Sequence, residues 1–110
     1  SEYARKFDRI TPVPGQRVPL LRDVIRLARD ASETFFLVIE IKASLFDEEP
    51  EDALRLVDAV LEVVEQERFG HRFRLCSFDW RALRYAICQR AGTRAWFTTH
   101  PLSWYGSMLP

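Results

Sequence analysis

Long apolar runs, net charge, glycine and paired cysteine are all scarce in this sequence, and each scarcity excludes something. No stretch approaches the ~18 consecutive apolar residues of a membrane-spanning helix. Ser1 is not followed by the basic segment and apolar stretch that mark a secretory signal. The 16 Lys and Arg residues balance 16 Asp and Glu residues, and the two signs are interleaved, so the chain lacks the net basic face that binding to nucleic-acid phosphates requires. The two cysteines, Cys76 and Cys88, have neither Cys-x-x-Cys spacing nor a matching histidine pattern. They read as buried free thiols, which fits a reducing, cytoplasmic compartment. The four glycines make no Gly-rich turn after a first strand, which argues against a dinucleotide-binding sheet. There is no internal repeat and no low-complexity tract. The chain opens on Ser1 instead of Met, which leaves room for residues upstream.

What is present suits one core. Of 110 residues, 47% are hydrophobic and 29% charged, the balance of a globular domain and not of a disordered tail. A chain of this size buries about two-thirds of its extended surface on folding, enough for one core and short of two. A single unit over residues 1–110 is expected, with a connecting loop at 1–18 and an irregular tail at 100–110. Within that loop, residues 10–19 carry three prolines and a glycine, which fix φ and remove donors, so this part is rigid and extended.

Periodicity then predicts six elements. Pro19 starts a helix to about residue 31, with Leu20, Val24, Leu27, Ala28 and Ala31 inward and Arg22, Asp23, Arg26, Arg29 and Asp30 outward. Residues 35–42, rich in aromatic and β-branched side chains, read as a buried parallel strand. Asp47, Glu48 and Glu49 lead into Pro50 and a helix to about Arg68, with Ala53, Leu56, Val57, Val60, Leu61 and Val64 as its stripe and Glu51–Arg55 as an i,i+4 pair. Residues 73–78 form a second strand. Asp79 caps the next helix, which turns Leu83, Ala86 and Ile87 inward. Gly92 stops that helix before a third strand at 94–99. Strict alternation of helix and strand means parallel strands joined by crossovers. The class is α/β, either an open sheet or part of a (β/α)8 barrel.

Alternation along the first strand puts Phe35, Leu37, Ile39 and Ile41 on one face and Phe36, Val38, Glu40 and Lys42 on the other. The second face ends in a carboxylate and an ammonium at the C-terminal end of the strand, where α/β folds place their sites. Residues two apart are about 6–7 Å apart along a strand, so the two groups need not neutralise each other. A carboxylate there can bind a hard divalent cation, and the lysine can hold anionic oxygens beside it, an arrangement suited to phosphate-ester chemistry. A strand-end ion pair near the surface is the plainer alternative.

The segments Val18-Pro19-Leu20-Leu21-Arg22-Asp23-Val24, Val38-Ile39-Glu40-Ile41-Lys42 and Cys76-Ser77-Phe78-Asp79-Trp80-Arg81-Ala82-Leu83 together resemble the middle of the glycerophosphodiester phosphodiesterase family, over roughly residues 7–99. The resemblance implies a (β/α)8 barrel that hydrolyses glycerophosphodiesters, as small-molecule substrates, to an alcohol and glycerol phosphate with a divalent metal ion, Mg2+ or Ca2+. It further implies that Glu40 is a metal ligand, that Lys42 is the basic catalytic residue beside the substrate phosphate, and that Ser77 and Phe78 line the substrate pocket. The family's two catalytic histidines and its Glu-x-Asp metal ligands lie before the Pro-led helix, and this chain contains none of those segments. The family's helix usually begins Pro-Thr-Leu, where this chain reads Pro19-Leu20-Leu21. The implied object is an internal barrel segment, inactive by itself, that self-associates through its open sheet edges.

The remaining candidates are weaker. His71 reads as a solvated loop residue on the opposite rim, and His100 lies beyond the third strand on the rim of Glu40. The run Asp47-Glu48-Glu49 lies on the rim of Lys42 and could support a metal's ligands with a further carboxylate, but it better suits a helix N-terminus, where the macrodipole favours negative charge. Trp80, Trp96 and Trp104 with Tyr105 could make a binding lip, although Trp80 at a helix start and Trp96 within a strand read better as packing residues. Two other functions fit the same segments: a non-catalytic α/β interaction module, or another phospholipase C-like or sphingomyelinase D-like phosphodiesterase barrel.

Overall fold

The apolar stripes and β-branched runs become three helices and three strands. In the computed structural model, which describes residues 11–43 and 49–99, the order is α1 (Leu21–Ala31), β1 (Leu37–Glu40), α2 (Glu51–Gln66), β2 (Phe73–Ser77), α3 (Trp80–Gln89) and β3 (Ala95–Phe97). The strands form one parallel sheet in the order β1-β2-β3, with Leu37 opposite Phe73, Glu40 opposite Cys76, Cys76 opposite Trp96 and Ser77 opposite Phe97. The α/β class with parallel strands and alternating helices is as expected, and the sheet of described strands is open. No helix among the described residues is long and apolar enough to cross a membrane.

All three helices contribute to a single core on one side of the sheet. Ile25 and Ala28 of α1, Ala53, Val57, Val60, Leu61 and Val64 of α2, and Ala82, Leu83 and Ala86 of α3 are buried with Phe73 and Leu75 of β2. Leu37, Ile39 and Ala95 pack against them, and Ile41 completes the edge of the cluster. Each fully buried valine, leucine, isoleucine or phenylalanine among them contributes about 1.5–3 kcal/mol. Among the described residues no helix lies over the other face: Val38 is 49% exposed and Trp96 51%.

The strands are shorter than their sequence runs. Leu37 pairs with Phe73, the first residue of β2, so Phe35 and Phe36 precede any ladder partner and lie exposed. Pro19 sits before Leu20, the N-cap of α1, and Pro50 is the N-cap of α2, so each proline lies outside its helix.

Several expected burials are corrected. On α1 the buried row runs Leu21, Ile25, Ala28, while Leu27 is 71% exposed and Leu20 nearly as much. Two apolar rows lie side by side on this helix, and a polar contact chooses between them. Arg26 makes a two-pronged bond to Glu67 (3.0 and 2.9 Å), Arg22 approaches the same carboxylate at 3.2 Å, and Arg29 donates to the Glu67 carbonyl at 2.6 Å. Glu67, at the C-cap of α2, is only 8% exposed, so these arginines cover it and turn Ile25 toward the core. Leu56, Ile87 and Trp80 are exposed, and the free thiols are less buried than expected, Cys76 half-buried and Cys88 exposed. Trp96 is likewise not packed, because it projects from the face without helices. Asp47, Glu48, His100, Trp104, Tyr105, residues 1–10 of the loop and the tail at 100–110 lie outside the described residues.

Candidate active site

The C-terminal ends of β1 and β2 are joined by one hydroxyl. Ser77, fully buried, donates from Oγ to the Ile41 carbonyl at 2.7 Å and accepts the Asp79 N–H at 3.1 Å. One side chain thus fixes the end of β1 against the turn that starts α3. Asp79 then caps α3 by accepting the Arg81 N–H at 2.9 Å, and the Arg81 guanidinium grips both carboxylate oxygens (Nε 3.0 Å, Nη2 2.8 Å). The Arg81 side-chain bond holds the Asp79 carboxyl below the ordinary aspartate range, with burial opposing and the backbone bond assisting.

This bracing positions Glu40. It is the last residue of β1, exposed, on the bare face of the sheet. Lys42 lies exposed two residues farther along, and neither has an ion-pair partner among the described residues. The strand-end ion pair is therefore absent between them. Phe78, half-buried, follows directly after β2, where alternation carries it to the face of Cys76 and Glu40. Ser77 is not brought to this group. Its register partner Phe97 and its bond to Ile41 place it on the helix side, so it acts as a brace and lies on the face opposite Glu40.

Other residues of the bare face were less apparent from the sequence. Trp96 shares a row with Cys76 and Glu40. Arg74 lies two residues before Cys76, its guanidinium 5.3 Å from the centroid of the Phe36 ring. Alternation plus strand order would have found Trp96, had the register been known. His71 is exposed and precedes β2, at the other end of the strands from Glu40. Its ring packs against Gly92, where a Cβ would come 3.1 Å from Cε1.

A divalent cation of the hard class takes about six to eight oxygen ligands. Glu40 offers one such ligand, and no three His, Cys, Asp or Glu side chains converge among the described residues. These residues do not by themselves hold such an ion. A concavity of about 350 Å³ runs between α2 and α3 and is lined by Pro50, Leu54, Trp80, Arg84, Tyr85 and Cys88 with Arg81. The chain matches no protein-family model and no curated protein sequence. The rim of β1 therefore stands on its own chemistry: an exposed carboxylate and an exposed ammonium, close in sequence, on a braced strand end.

Proposed function

We propose that these strands form one sector of a (β/α)8 barrel of the glycerophosphodiester phosphodiesterase kind, in which Glu40 and Lys42 serve the hydrolysis of glycerophosphodiesters to an alcohol and glycerol phosphate. The observation that carries this reading is the placement of Glu40 and Lys42, exposed and without an ion-pair partner among the described residues, at the C-terminal end of a parallel strand on the face that no described helix covers. Three sequential parallel strands with their helices on one side support a barrel sector, because barrels put every helix outside and every site at that rim.

In this reading Lys42 faces the phosphate. Its ammonium stabilises charge on the non-bridging oxygens as water adds to phosphorus and the bond to the alcohol oxygen breaks. Glu40 would supply one oxygen ligand to Mg2+ or Ca2+, an ion that would polarise the phosphoryl oxygens, and the remaining ligands would come from outside the described residues. Ser77 keeps the strand end in place, and Phe78 adds apolar lining. The acid and base are not among the described residues. Two unpaired cysteines support a reducing, cytoplasmic setting.

The test is hydrolysis of glycerophosphocholine by the full-length protein, its Glu40→Gln variant and its Lys42→Ala variant. Glu40→Gln is expected to lower kcat/KM at least a hundredfold and Lys42→Ala at least tenfold. Unchanged hydrolysis in Glu40→Gln would remove the assignment. A non-catalytic interaction module is the second reading, favoured by the single carboxylate that the described residues offer to a metal. It predicts no hydrolysis with any added divalent ion.

A further inference from the structure

Ile41 lies between the two residues of the rim, and its side chain, N–H and carbonyl are all held. The side chain is 1% exposed in the core, the N–H donates to the Cys76 carbonyl at 2.8 Å, and the carbonyl accepts the Ser77 hydroxyl at 2.7 Å. The Ile41 carbonyl and the Lys42 N–H belong to one planar peptide group, so the last of these bonds sets the direction in which the chain enters Lys42. Glu40 has a further tether. It ends the ladder opposite Cys76, whereas Lys42 lies beyond the last register pair.

The Ser77 hydroxyl is itself aimed from the other side. The Ser77 carbonyl accepts the N–H of Thr98, just past β3, at 2.9 Å, which ties its backbone to the third strand. The Asp79 N–H donates to the hydroxyl oxygen at 3.1 Å, and the single hydroxyl proton is left for Ile41. Asp79, 3% exposed, has extended backbone (φ −101°, ψ 105°). Its carboxylate keeps that shape by accepting the Arg81 N–H at 2.9 Å, while the Arg81 guanidinium grips both oxygens. The start of α3 thus reaches the backbone of Lys42 through a relay from Arg81 to Asp79, from Asp79 to Ser77 and from Ser77 to Ile41.

We infer that Asp79 is a positioning residue for Lys42, acting through the Ser77 hydroxyl. This rests on the reading of Lys42 as the cation that faces the phosphate, and it adds the group that holds the lysine in place. Without the Asp79 carboxylate the turn loosens, the hydroxyl loses its orienting N–H, and the peptide before Lys42 is free to rotate. The lysine stem then leaves the backbone in several directions instead of one. A misplacement of about 1 Å at a reacting group costs up to about a hundredfold in rate. The loss here is bounded by what Lys42 itself supplies.

Two measurements on the full-length protein test this. The first is kcat/KM on glycerophosphocholine. Asp79→Ala is expected to lower it at least threefold, though less than Lys42→Ala does. Asp79→Asn is expected to lower it less than twofold, because asparagine caps a helix start as well as aspartate. In the Lys42→Ala background, Asp79→Ala is expected to change it less than twofold, whereas a residue that serves stability alone gives the same loss with and without the lysine. Asp79→Gly, which a helix start tolerates, replaces Asp79→Ala if the latter does not fold. The second measurement is NMR of protein labelled with 15N-lysine, the Lys42 amide being assigned by its loss in Lys42→Arg. That amide shares a peptide group with the Ile41 carbonyl, so it is expected to shift in Asp79→Ala and in Ser77→Ala and to stay in place in Asp79→Asn.

An unmoved Lys42 amide, no loss of hydrolysis in Asp79→Ala, or a loss of equal size without Lys42 overturns the inference, while Lys42-dependent hydrolysis leaves the first reading standing. A moved amide with no hydrolysis, or with hydrolysis that survives Lys42→Ala, removes the reading of Lys42 and leaves Asp79 as the group that orders its backbone. An unmoved amide and no hydrolysis remove both.

Discussion

The Ser77 hydroxyl donates to the Ile41 carbonyl across two strand ends at 2.7 Å, and the same oxygen receives the Asp79 N–H. This bond lies beneath the rim and orders the backbone that presents Glu40. Replacement by Ala leaves a buried carbonyl and a buried N–H without partners, at a cost of about 1–3 kcal/mol. Urea unfolding of Ser77→Ala is expected to show that loss as a lower midpoint with an unchanged slope. A change below about 0.5 kcal/mol, the ordinary scale for surface substitutions, would show that the bond is dispensable.

Glu67 predicts an acid-sensitive attachment of α1. The side-chain bond from Arg26 holds its carboxyl below the ordinary glutamate range, against the opposing effect of burial and with help from the charges of Arg26, Arg22 and Arg29. A depressed folded-state value means that the contribution is complete above the unfolded-state value. It is lost as pH falls through the folded one. Stability measured by urea titration is therefore expected to be flat from neutral pH to the ordinary carboxyl range and to fall below it. Glu67→Gln is expected to be less stable at pH 7 and to show a shallower acid slope. Equal slopes in the two proteins would place the acid sensitivity elsewhere.

Gly92 and His71 form a coupled pair. Gly92 has φ +83°, a conformation that costs an ordinary residue about 1 kcal/mol or more, and an added Cβ would press on the His71 ring. Gly92→Ala is expected to destabilise by more than that backbone cost alone. His71→Ala should relieve the steric part and leave the φ part, so a double-mutant cycle in chemical denaturation is expected to give a non-zero coupling. Strict additivity would mean that the ring moves aside freely.

The bare face predicts association of the 110-residue chain with a second copy. Val38 and Trp96 are about half exposed on the bare face of a sheet whose parallel strands ordinarily have both faces covered. Sedimentation velocity is expected to show mass rising with concentration, and Val38→Lys to reduce that rise. A compact monomer at all concentrations would contradict the expectation.

Element order was legible because each switch between period 3.6 and period 2 is marked by Pro50, Asp79 or Gly92. The placement of Glu40 and Lys42 on one face followed from alternation alone. The face of α1 was not legible. The rows Leu20-Val24-Leu27 and Leu21-Ile25-Ala28 are both apolar, and the carboxylate that selects between them lies 41 residues after Arg26. Ser77 was grouped with Phe78 by resemblance, although consecutive strand residues face opposite ways. Trp96 was read as packed because nothing local in Arg94-Ala95-Trp96-Phe97 reveals that its side of the sheet has no helix.

The arginine cluster on α1 has an uneven tolerance to sequence drift. Arg22, Arg26 and Arg29 each reach Glu67, so loss of any one leaves two cations at the carboxylate. Loss of the Glu67 carboxylate instead removes the shared anion from all three at once, leaving Arg29 its bond to the residue 67 carbonyl and Arg22 its bond to Gln66. The cationic side is redundant and the anionic side is not, so substitutions should accumulate first among the arginines and last at the single acid they share.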